Sequence, residues 1–233
     1  MGLAFEHRPS DSPYIERVWH SRSHDVDRMM SVARAHWDLV FWETEGQVRV
    51  GVQGPESRAS TAPVPHESVS FGVRFSLGTR MPHLPIRRLV DGFTEMPGAD
   101  RRSFRLMGAS WPRPDFGNAE EFVRRLVRDE VVVRDPLVPE VLARGTAGLC
   151  ERTVQRRFIA ATGLTRGAVR QIERAQRAAV LIQEGSPPID VVHLLGYFDQ
   201  PHLARSLTRF MGRTATQLRA ADPAEPLSLL YKT

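Results

Sequence analysis

The stretch that decides the fold is DVVHLLGYFDQPHLARSLTRF, residues 190–210. It predicts a short apolar helix, a tight turn and a second helix. Gly196 stands where the first helix must end in a left-handed conformation, which glycine adopts without steric cost. Asp199 stands where the second helix begins, because its carboxylate can accept from free backbone N–H groups there. Pro201 fits the first turn of that helix, where no backbone N–H is needed.

The second predicted helix has two distinct faces. One face carries an apolar stripe at spacings of four and three residues: Leu203, Leu207 and Phe210. Another face carries basic and hydrogen-bonding side chains: His202, Arg205 and Arg209. The apolar stripe is typical of a helix packed on a core. A helix–turn–helix unit with such an outward face suits the major groove of DNA.

The totals are those of an ordinary globular protein. The chain has 233 residues, 41% of them hydrophobic and 25% charged, which is enough for one large domain or two smaller ones. No apolar run is long enough to span a membrane, and the first residues lack the pattern of a secretory signal. The single cysteine, Cys150, cannot form an intrachain disulfide. We therefore expect a cytoplasmic protein with no membrane partner.

The positive charge is concentrated in the C-terminal third. The formal net charge is +5, and residues 140–219 hold twelve arginines against six acidic residues. The rest of the chain is therefore close to neutral. This asymmetry is expected when one domain binds the phosphate groups of a nucleic acid. A solvated charged face is the alternative, and charge alone does not exclude it.

The N-terminal half has the pattern of an antiparallel β-sandwich or small barrel. Segments rich in β-branched and aromatic residues alternate with Gly, Pro and Ser, at residues 14–19, 37–42, 47–53 and 68–75. Residues 51–65 favour a loop, and residues 84–90 a short helix. Asn118 is placed to cap a helix over residues 119–131, whose first turn holds two glutamates.

The whole chain therefore has the pattern of an α+β protein. From residue 137 onward the sequence predicts helices, among them 137–143, 151–161 and 167–183, the last capped by Thr165. The predicted division is a β-rich regulatory, effector or dimerisation domain at 1–117, a connecting helix at 118–136, a helical DNA-binding domain at 137–222 and a flexible tail at 223–233.

Two quoted runs carry a family resemblance. CERTVQRRFIAATGLT at 150–165 and LLGYFDQPHLARSLTRFMGRTATQLR at 194–219 resemble the DNA-binding domain of AraC/XylS-type transcription regulators. The resemblance implies two helix–turn–helix units whose recognition helices enter successive major grooves. The chain departs from the family pattern at Ala215, where proline is common, and at Leu218, where an aromatic is usual. Gly145 and Gly148 also predict a short or distorted first helix in the first unit.

The resemblance extends to the N-terminal half. WDLVF at 37–41 and FGVRFSLGTR at 71–80 are similar to a cupin-like β-barrel that family members often carry. Such a domain implies effector binding or dimerisation. The predicted effector pocket is aromatic and consists of Trp37, Trp42, Phe71 and Phe75. Aromatic residues at strand spacing are equally typical of a plain core.

The family pattern also assigns residues to the DNA interface. The base-facing candidates are Arg152, Gln155, Arg156, Gln200, His202 and Arg205. Arginine is shaped to read guanine, and glutamine to read adenine. The phosphate-facing candidates are Thr153, Arg166, Arg209, Arg213 and Thr214, which would fix the register on DNA. Some of these arginines could instead be solvated or pair with nearby acids.

An enzymatic function has little support in the sequence. There is no Gly-rich phosphate loop, no Gly-x-Ser-x-Gly and no Cys-x-x-Cys, and the histidines form no His-x-His cluster. We expect no catalytic residues, no metal and no cofactor. The expected partners are double-stranded DNA, RNA polymerase and a small-molecule effector, with a homodimer left open. The alternative is a cupin-type enzyme or metal-binding protein fused to a DNA-targeting module.

Overall fold

The computed structural model describes residues 2–24, 28–64, 66–145, 148–220 and 227–228. Its strands are β1 (Gly2–Pro9), β2 (Ile15–His24), β3 (Arg28–Ser31), β4 (Asp38–Thr44), β5 (Gln47–Gln53), β6 (Ser60–Pro63), β7 (Val69–Phe75), β8 (Thr79–Arg80), β9 (Phe93–Met96), β10 (Ser103–Leu106), β11 (Ala109–Pro112), β12 (Val133–Arg134) and β13 (Leu227–Ser228). The helices are α1 (Ala119–Arg128), α2 (Leu137–Arg144), α3 (Glu151–Thr162), α4 (Arg166–Gln183), α5 (Pro188–Leu195), α6 (Gln200–Met211) and α7 (Ala215–Ala220), with a 3-10 helix at Ile86–Arg88.

The N-terminal half is built on an antiparallel six-stranded sheet in the order β1-β2-β7-β4-β5-β9. Successive residues of a strand point to opposite faces, so each strand contributes to both sides of the sheet. One face is apolar and buries Leu39, Phe41, Val50, Val52 and Val73. The side chains of α1 and of the β10–β11 hairpin cover this face and complete the first core.

The other face of the sheet lies under a smaller sheet in which β3 pairs with β6 and with β13. The side chains between the two sheets do not fill the space, and a cavity remains there. The predicted α+β class, with an antiparallel β-rich region followed by helices, is confirmed.

The C-terminal helices form a second core around α4. Buried residues of α4 include Val169, Ile172, Ala175, Ala179 and Ile182. They belong to one apolar cluster with Phe158 of α3 and Leu207 of α6. Val32, Ala33 and Ala35, which follow β3, join the same cluster. The helical core is therefore completed by a segment of the β-rich half.

Two local predictions are wrong. Asn118 does not cap α1 with its side chain. Its Oδ1 accepts from the Asp115 N–H at 2.9 Å, so it closes the preceding turn instead. The predicted loop at 51–65 contains the end of β5, which pairs with β4 and β9, and all of β6, which pairs with β3. The predicted tail at 223–233 lies outside the described residues except for 227–228. Among the helices in the described part of the chain, none has the length and apolarity needed to cross a membrane.

Candidate nucleic-acid interface and neighbouring cavity

The turn of the second helix–turn–helix unit, α5–α6, is fixed by local hydrogen bonds. Gly196 ends α5 with φ 66°, in the left-handed region. The Asp199 carboxylate accepts from the His202 N–H at 2.6 Å and so caps α6. The Phe198 N–H donates to His202 Nδ1 at 3.3 Å. Both the predicted stop at Gly196 and the predicted cap at Asp199 are confirmed.

The two predicted faces of α6 are present. Leu203, Leu207 and Phe210 are buried in the helical core. Gln200, Arg205 and Arg209 are exposed. His202 is half-buried, and its ring lies edge-on to Tyr197 at a centroid distance of 5.2 Å. Because His202 Nδ1 accepts a hydrogen bond, the neutral ring carries its proton on Nε2, which leaves one donor for a partner.

The first unit, α2–α3, is fixed less tightly. Gly145 ends α2 with φ 80°, so the predicted short first helix is confirmed. Cys150 precedes α3, but its side chain makes no capping hydrogen bond. Its Sγ lies 3.1 Å from Thr153 Oγ1. The hydrogen bond with the Thr153 hydroxyl and nearby backbone N–H groups lower the pKa of the Cys150 thiol.

The faces of α3 match the sequence prediction. Val154 and Phe158 are buried, at 3% and 1% exposure. The three base-facing candidates of this helix are all exposed: Arg152, Gln155 and Arg156. They are therefore free of the core and available to a ligand on the outer face of the domain.

Helix α4 connects the two units. It has 18 residues, and the predicted cap is confirmed, since Thr165 Oγ1 accepts from the Ala168 N–H at 3.1 Å. The Arg174 guanidinium lies 4.2 Å from the centroid of the Tyr197 ring and donates to Gly196 O at 3.3 Å. Arg174 therefore ties α4 to the turn of the second unit.

The phosphate-facing candidates differ in their surroundings. Arg166 donates to Gly145 O and so holds the end of α2. Thr214 Oγ1 accepts from the Gln217 N–H at 3.3 Å, which begins α7. Arg209 is exposed beside the Phe210 ring, at 5.1 Å from its centroid. Thr153 and Arg213 are half-buried. Arg166 and Thr214 thus have structural contacts in addition to any contact with DNA.

A cavity of about 370 Å³ lies between the six-stranded sheet and the β3–β6 sheet. Its lining is mostly apolar and includes Phe5, Trp19, Met29, Val40, Trp42, Ala62, Pro63, Val64 and Phe93. Of the four predicted pocket residues, Trp42 lines this cavity. Trp37 and Phe75 stack on each other at 3.9 Å in the core on the opposite face, where Phe71 contacts Phe41.

A charged cluster that the sequence analysis missed lies at the cavity. Arg34, Asp38 and Glu56 line it, and each is less than 8% exposed. Arg74 Nε donates to Asp38 Oδ1 at 2.9 Å, and Arg34 Nη2 lies 2.7 Å from Glu56 Oε2. Burial alone would raise the pKa of Asp38, but Arg74 and Arg34 outweigh burial and hold this pKa below its ordinary value.

Backbone groups next to the strands that cover the cavity also contact α6. The Ala33 N–H donates to Phe210 O at 2.7 Å, and the Ala59 N–H donates to Arg209 O at 2.9 Å. The side-chain amide of Gln176 in α4 donates to Ala33 O at 2.7 Å. Since Ala33 follows β3 and Ala59 precedes β6, the two strands that cover the cavity hold the last turn of α6.

Among residues 2–24, 28–64, 66–145, 148–220 and 227–228, no group of three or more His, Cys, Asp or Glu side chains is placed to hold an ion. The charged cluster at the cavity pairs its acids with arginines, and such pairing leaves the carboxylates engaged.

Comparisons with known proteins agree with the helical geometry. Residues 145–221 match a family model described as a helix-turn-helix domain. No curated protein matches the chain. Among solved structures, ToxT from Vibrio cholerae is 10% identical, with a TM-score of 0.41, over 94% of this chain and 98% of that one. ToxT from Vibrio cholerae O395 bound to (E)-4-(8-methylnaphthalen-1-yl)but-3-enoic acid is 10% identical, with a TM-score of 0.40, over the same shares. Both structural likenesses are distant. The family match places residues 145–221 among the AraC-type helix-turn-helix domains, which bind DNA in transcription regulators.

Proposed function

We propose that this chain is a transcription regulator that reads a specific DNA site with α3 and α6 in two successive major grooves. The observation that carries this proposal is the placement of two helix–turn–helix units on one core, joined by α4. Helix α4 has 18 residues. At about 1.5 Å per residue such a helix is roughly 27 Å long. That length is comparable to one turn of DNA, roughly 34 Å, so both recognition helices can reach the same face of the duplex.

Base reading is assigned to polar residues that lie outside the buried stripe near the start of each recognition helix. On α3 these are Arg152, Gln155 and Arg156; on α6 they are Gln200, His202 and Arg205. Five of them are exposed and His202 is half-buried, and their position away from the buried stripe supports the assignment. The guanidinium of arginine pairs with guanine O6 and N7, and the amide of glutamine pairs with adenine. His202 offers one N–H donor, at Nε2.

Phosphate contacts are assigned to residues next to the recognition helices. Arg209 and Arg213 are the first choice because they follow the base-facing positions of α6. Thr153, Arg166 and Thr214 are assigned to the same role, although Arg166 and Thr214 also bond to their own backbone surroundings. Such contacts position the protein without reading the sequence.

We also propose that a small-molecule effector in the cavity regulates DNA binding. The cavity has the size and apolar lining typical of small-molecule sites. Its covering strands are continuous with Ala33 and Ala59, which hydrogen-bond the last turn of α6. An occupant that moves β3 or β6 would therefore change the support of the second recognition helix. The proposed wider setting is a cytoplasmic regulator that acts on RNA polymerase, as a monomer or homodimer.

An enzymatic role is not part of this proposal. The alternative of a cupin-type enzyme or metal-binding protein fused to a DNA-targeting module makes a distinct prediction, which is a stoichiometric transition metal in the purified chain. Elemental analysis of the protein tests this alternative directly. A metal-to-protein ratio near one would favour it over effector regulation.

The experiment that tests the proposal is selection of binding sites from a random DNA pool by the full chain, with affinity followed against salt. We expect a bipartite motif whose two elements lie about one helical turn apart. Affinity should fall steeply with salt, since phosphate contacts release counterions. Salt-dependent binding without any motif would contradict the assignment of the six base-facing residues. A motif with one element would leave one recognition helix without its proposed role.

A further inference from the structure

We infer that the cavity takes an uncharged, largely apolar ligand that carries one hydrogen-bonding oxygen. This inference rests on the proposed role of the cavity as the effector site and adds the chemical class of the effector. It follows from three features of the cavity: the aromatic walls, the balanced charges of the buried cluster, and buried N–H groups without a partner.

The walls of the cavity are aromatic and are arranged over glycine. Trp19 lies across Gly72, where a Cβ would overlap the indole, and Phe93 lies across Gly51 in the same way. Phe5 stacks on Trp19 at a centroid distance of 5.6 Å. These flat surfaces line a space of about 370 Å³, which lies within the range typical of small-molecule sites. A polyhydroxylated ligand would leave most of its hydroxyl groups facing apolar surface, which is unfavourable.

The charged cluster at the cavity is already neutral. Arg34 and Arg74 stand against Asp38 and Glu56, so two positive charges meet two negative ones. Asp38 pairs with Arg74 at 2.9 Å, and Arg34 lies within 3.6 Å of Asp38 and 2.7 Å of Glu56. A carboxylate ligand would add a third negative charge in a poorly solvated space, with no positive charge left to pair with it. An uncharged ligand avoids this cost.

Hydrogen-bonding groups of the lining are nevertheless left without partners. Trp19 Nε1 and Arg34 Nε are buried N–H groups that meet no acceptor in the described residues. Both side chains line the cavity, and both are more than nine-tenths buried. Buried donors of this kind are rare, because an unsatisfied donor is costly. Neither nitrogen is itself exposed to the cavity, so a ketone or hydroxyl oxygen could accept from one of them only after the Trp19 or Arg34 side chain turns toward the cavity.

The test compares two ligands of the same shape that differ in charge. Equilibrium dialysis of the full chain, without DNA, is carried out with 2-acetylnaphthalene, with 2-naphthoate and with D-glucose. We expect one equivalent of 2-acetylnaphthalene to bind, with 2-naphthoate at least tenfold weaker and no detectable binding of D-glucose. Equal or tighter binding of 2-naphthoate would overturn the inference, and so would binding of D-glucose alone or of none of the three.

Two variants connect this binding to the cavity and to its charges. Ser70→Leu adds a side chain to the cavity lining and should weaken 2-acetylnaphthalene at least tenfold, whereas Ser110→Leu, at an exposed position of β11, should not. Glu56→Gln removes one negative charge and should raise the affinity for 2-naphthoate about tenfold relative to 2-acetylnaphthalene. Thermal unfolding of each variant checks that it is folded. If Ser70→Leu misfolds, Ser21→Leu on β2 places the same bulk in the cavity.

The result is independent of the DNA experiment. If the selection yields no motif but 2-acetylnaphthalene binds as expected, the proposed regulator function fails and the ligand class stands. If a bipartite motif is found but 2-naphthoate binds more tightly, the ligand class fails and the regulator function stands. Retained binding in a folded Ser70→Leu variant would place the ligand outside the cavity and overturn the inference.

Discussion

The two helix–turn–helix units differ in how their turns are fixed. In the second unit, Asp199 caps α6 with its carboxylate and the His202 ring accepts from the Phe198 N–H. In the first unit, Cys150 stands at the equivalent position and gives no capping bond. The second turn is therefore stabilised by its own few residues, while the first depends on contacts from elsewhere, such as Arg166 to Gly145 O. The equal roles proposed for the two units in DNA reading do not require equal local stability.

The units also differ in their contacts with the β-rich half. The last turn of α3 ends at Gly163, against the side chains of Ile86 and Val90. The last turn of α6 instead accepts backbone hydrogen bonds from Ala33 and Ala59. Backbone bonds constrain position more tightly than apolar contacts, because they depend on direction as well as distance. A change in the cavity wall should therefore reach α6 before it reaches α3.

The largest expected effect tests whether the units share one core. Phe158 of α3 and Leu207 of α6 are each at most 1% exposed and lie in the same cluster. Phe158→Ala and Leu207→Ala should each lower the free energy of unfolding by about 2–5 kcal/mol. Because the core is shared, each substitution should destabilise both units together. Urea unfolding should then show one transition of the helical domain, shifted to lower urea concentration. Leu194→Ala, at a side chain that is 69% exposed, is the matched control and should change little.

The next largest effect concerns which half of the DNA motif each unit reads. Arg156→Ala and Arg205→Ala should each weaken specific binding by about 1–3 kcal/mol, since each loses one bidentate base contact. Each variant should relax the preference at one position, in opposite halves of the selected motif. Repeating the site selection with both variants measures this. Arg128→Ala on α1 removes an exposed arginine from the β-rich half and should leave the motif unchanged. An unchanged preference in Arg156→Ala or Arg205→Ala would exclude that residue from base reading.

The second unit could be predicted from the sequence almost completely. Gly196, Asp199 and the apolar stripe of α6 act within a few residues of one another, so the local pattern contains the information. The same holds for Thr165 at the start of α4. Asn118 shows the limit of this reasoning, because its side chain had two nearby turns to bond and closed the earlier one.

The cavity could not be predicted in the same way. In β4, Asp38, Val40 and Trp42 face the cavity, while Leu39 and Phe41 face the core. Alternation assigns residues to two faces, but it does not say which face is packed and which is left open. Trp37, Phe71 and Phe75, which the sequence assigned to the pocket, lie on the packed face and belong to the core.

The charged cluster could not be predicted from the sequence for a different reason. Arg34 and Glu56 form a pair of backbone hydrogen bonds and an ion pair across a separation of more than twenty residues. Long-range pairing of this kind depends on how β3 and β6 are placed over the sheet. A local pattern does not contain that placement.

A smaller effect concerns the helix caps. Asp199→Ala should lower the free energy of unfolding by about 1 kcal/mol, because α6 loses its N-terminal capping bond. Cys150→Asp should raise it by about 0.5–1 kcal/mol, because α3 would gain the cap that it lacks. Thermal unfolding without DNA measures both changes. A loss of similar size in Cys150→Asp would mean that the Cys150–Thr153 contact supports the first turn better than a carboxylate would.

The smallest effect separates the two arginines that follow the recognition helices. Arg213→Ala should weaken all DNA sequences alike and lower the slope of log affinity against log salt by about one, since one phosphate contact is lost. Arg166→Ala should lower the slope similarly, but it should also destabilise the first unit, because it removes the bond to Gly145 O. Affinity against salt and thermal unfolding, measured on both variants, distinguish the two roles. A change of stability without a change of slope in Arg166→Ala would make that residue a support of the first turn alone, and the difference between the units would then extend to their phosphate contacts.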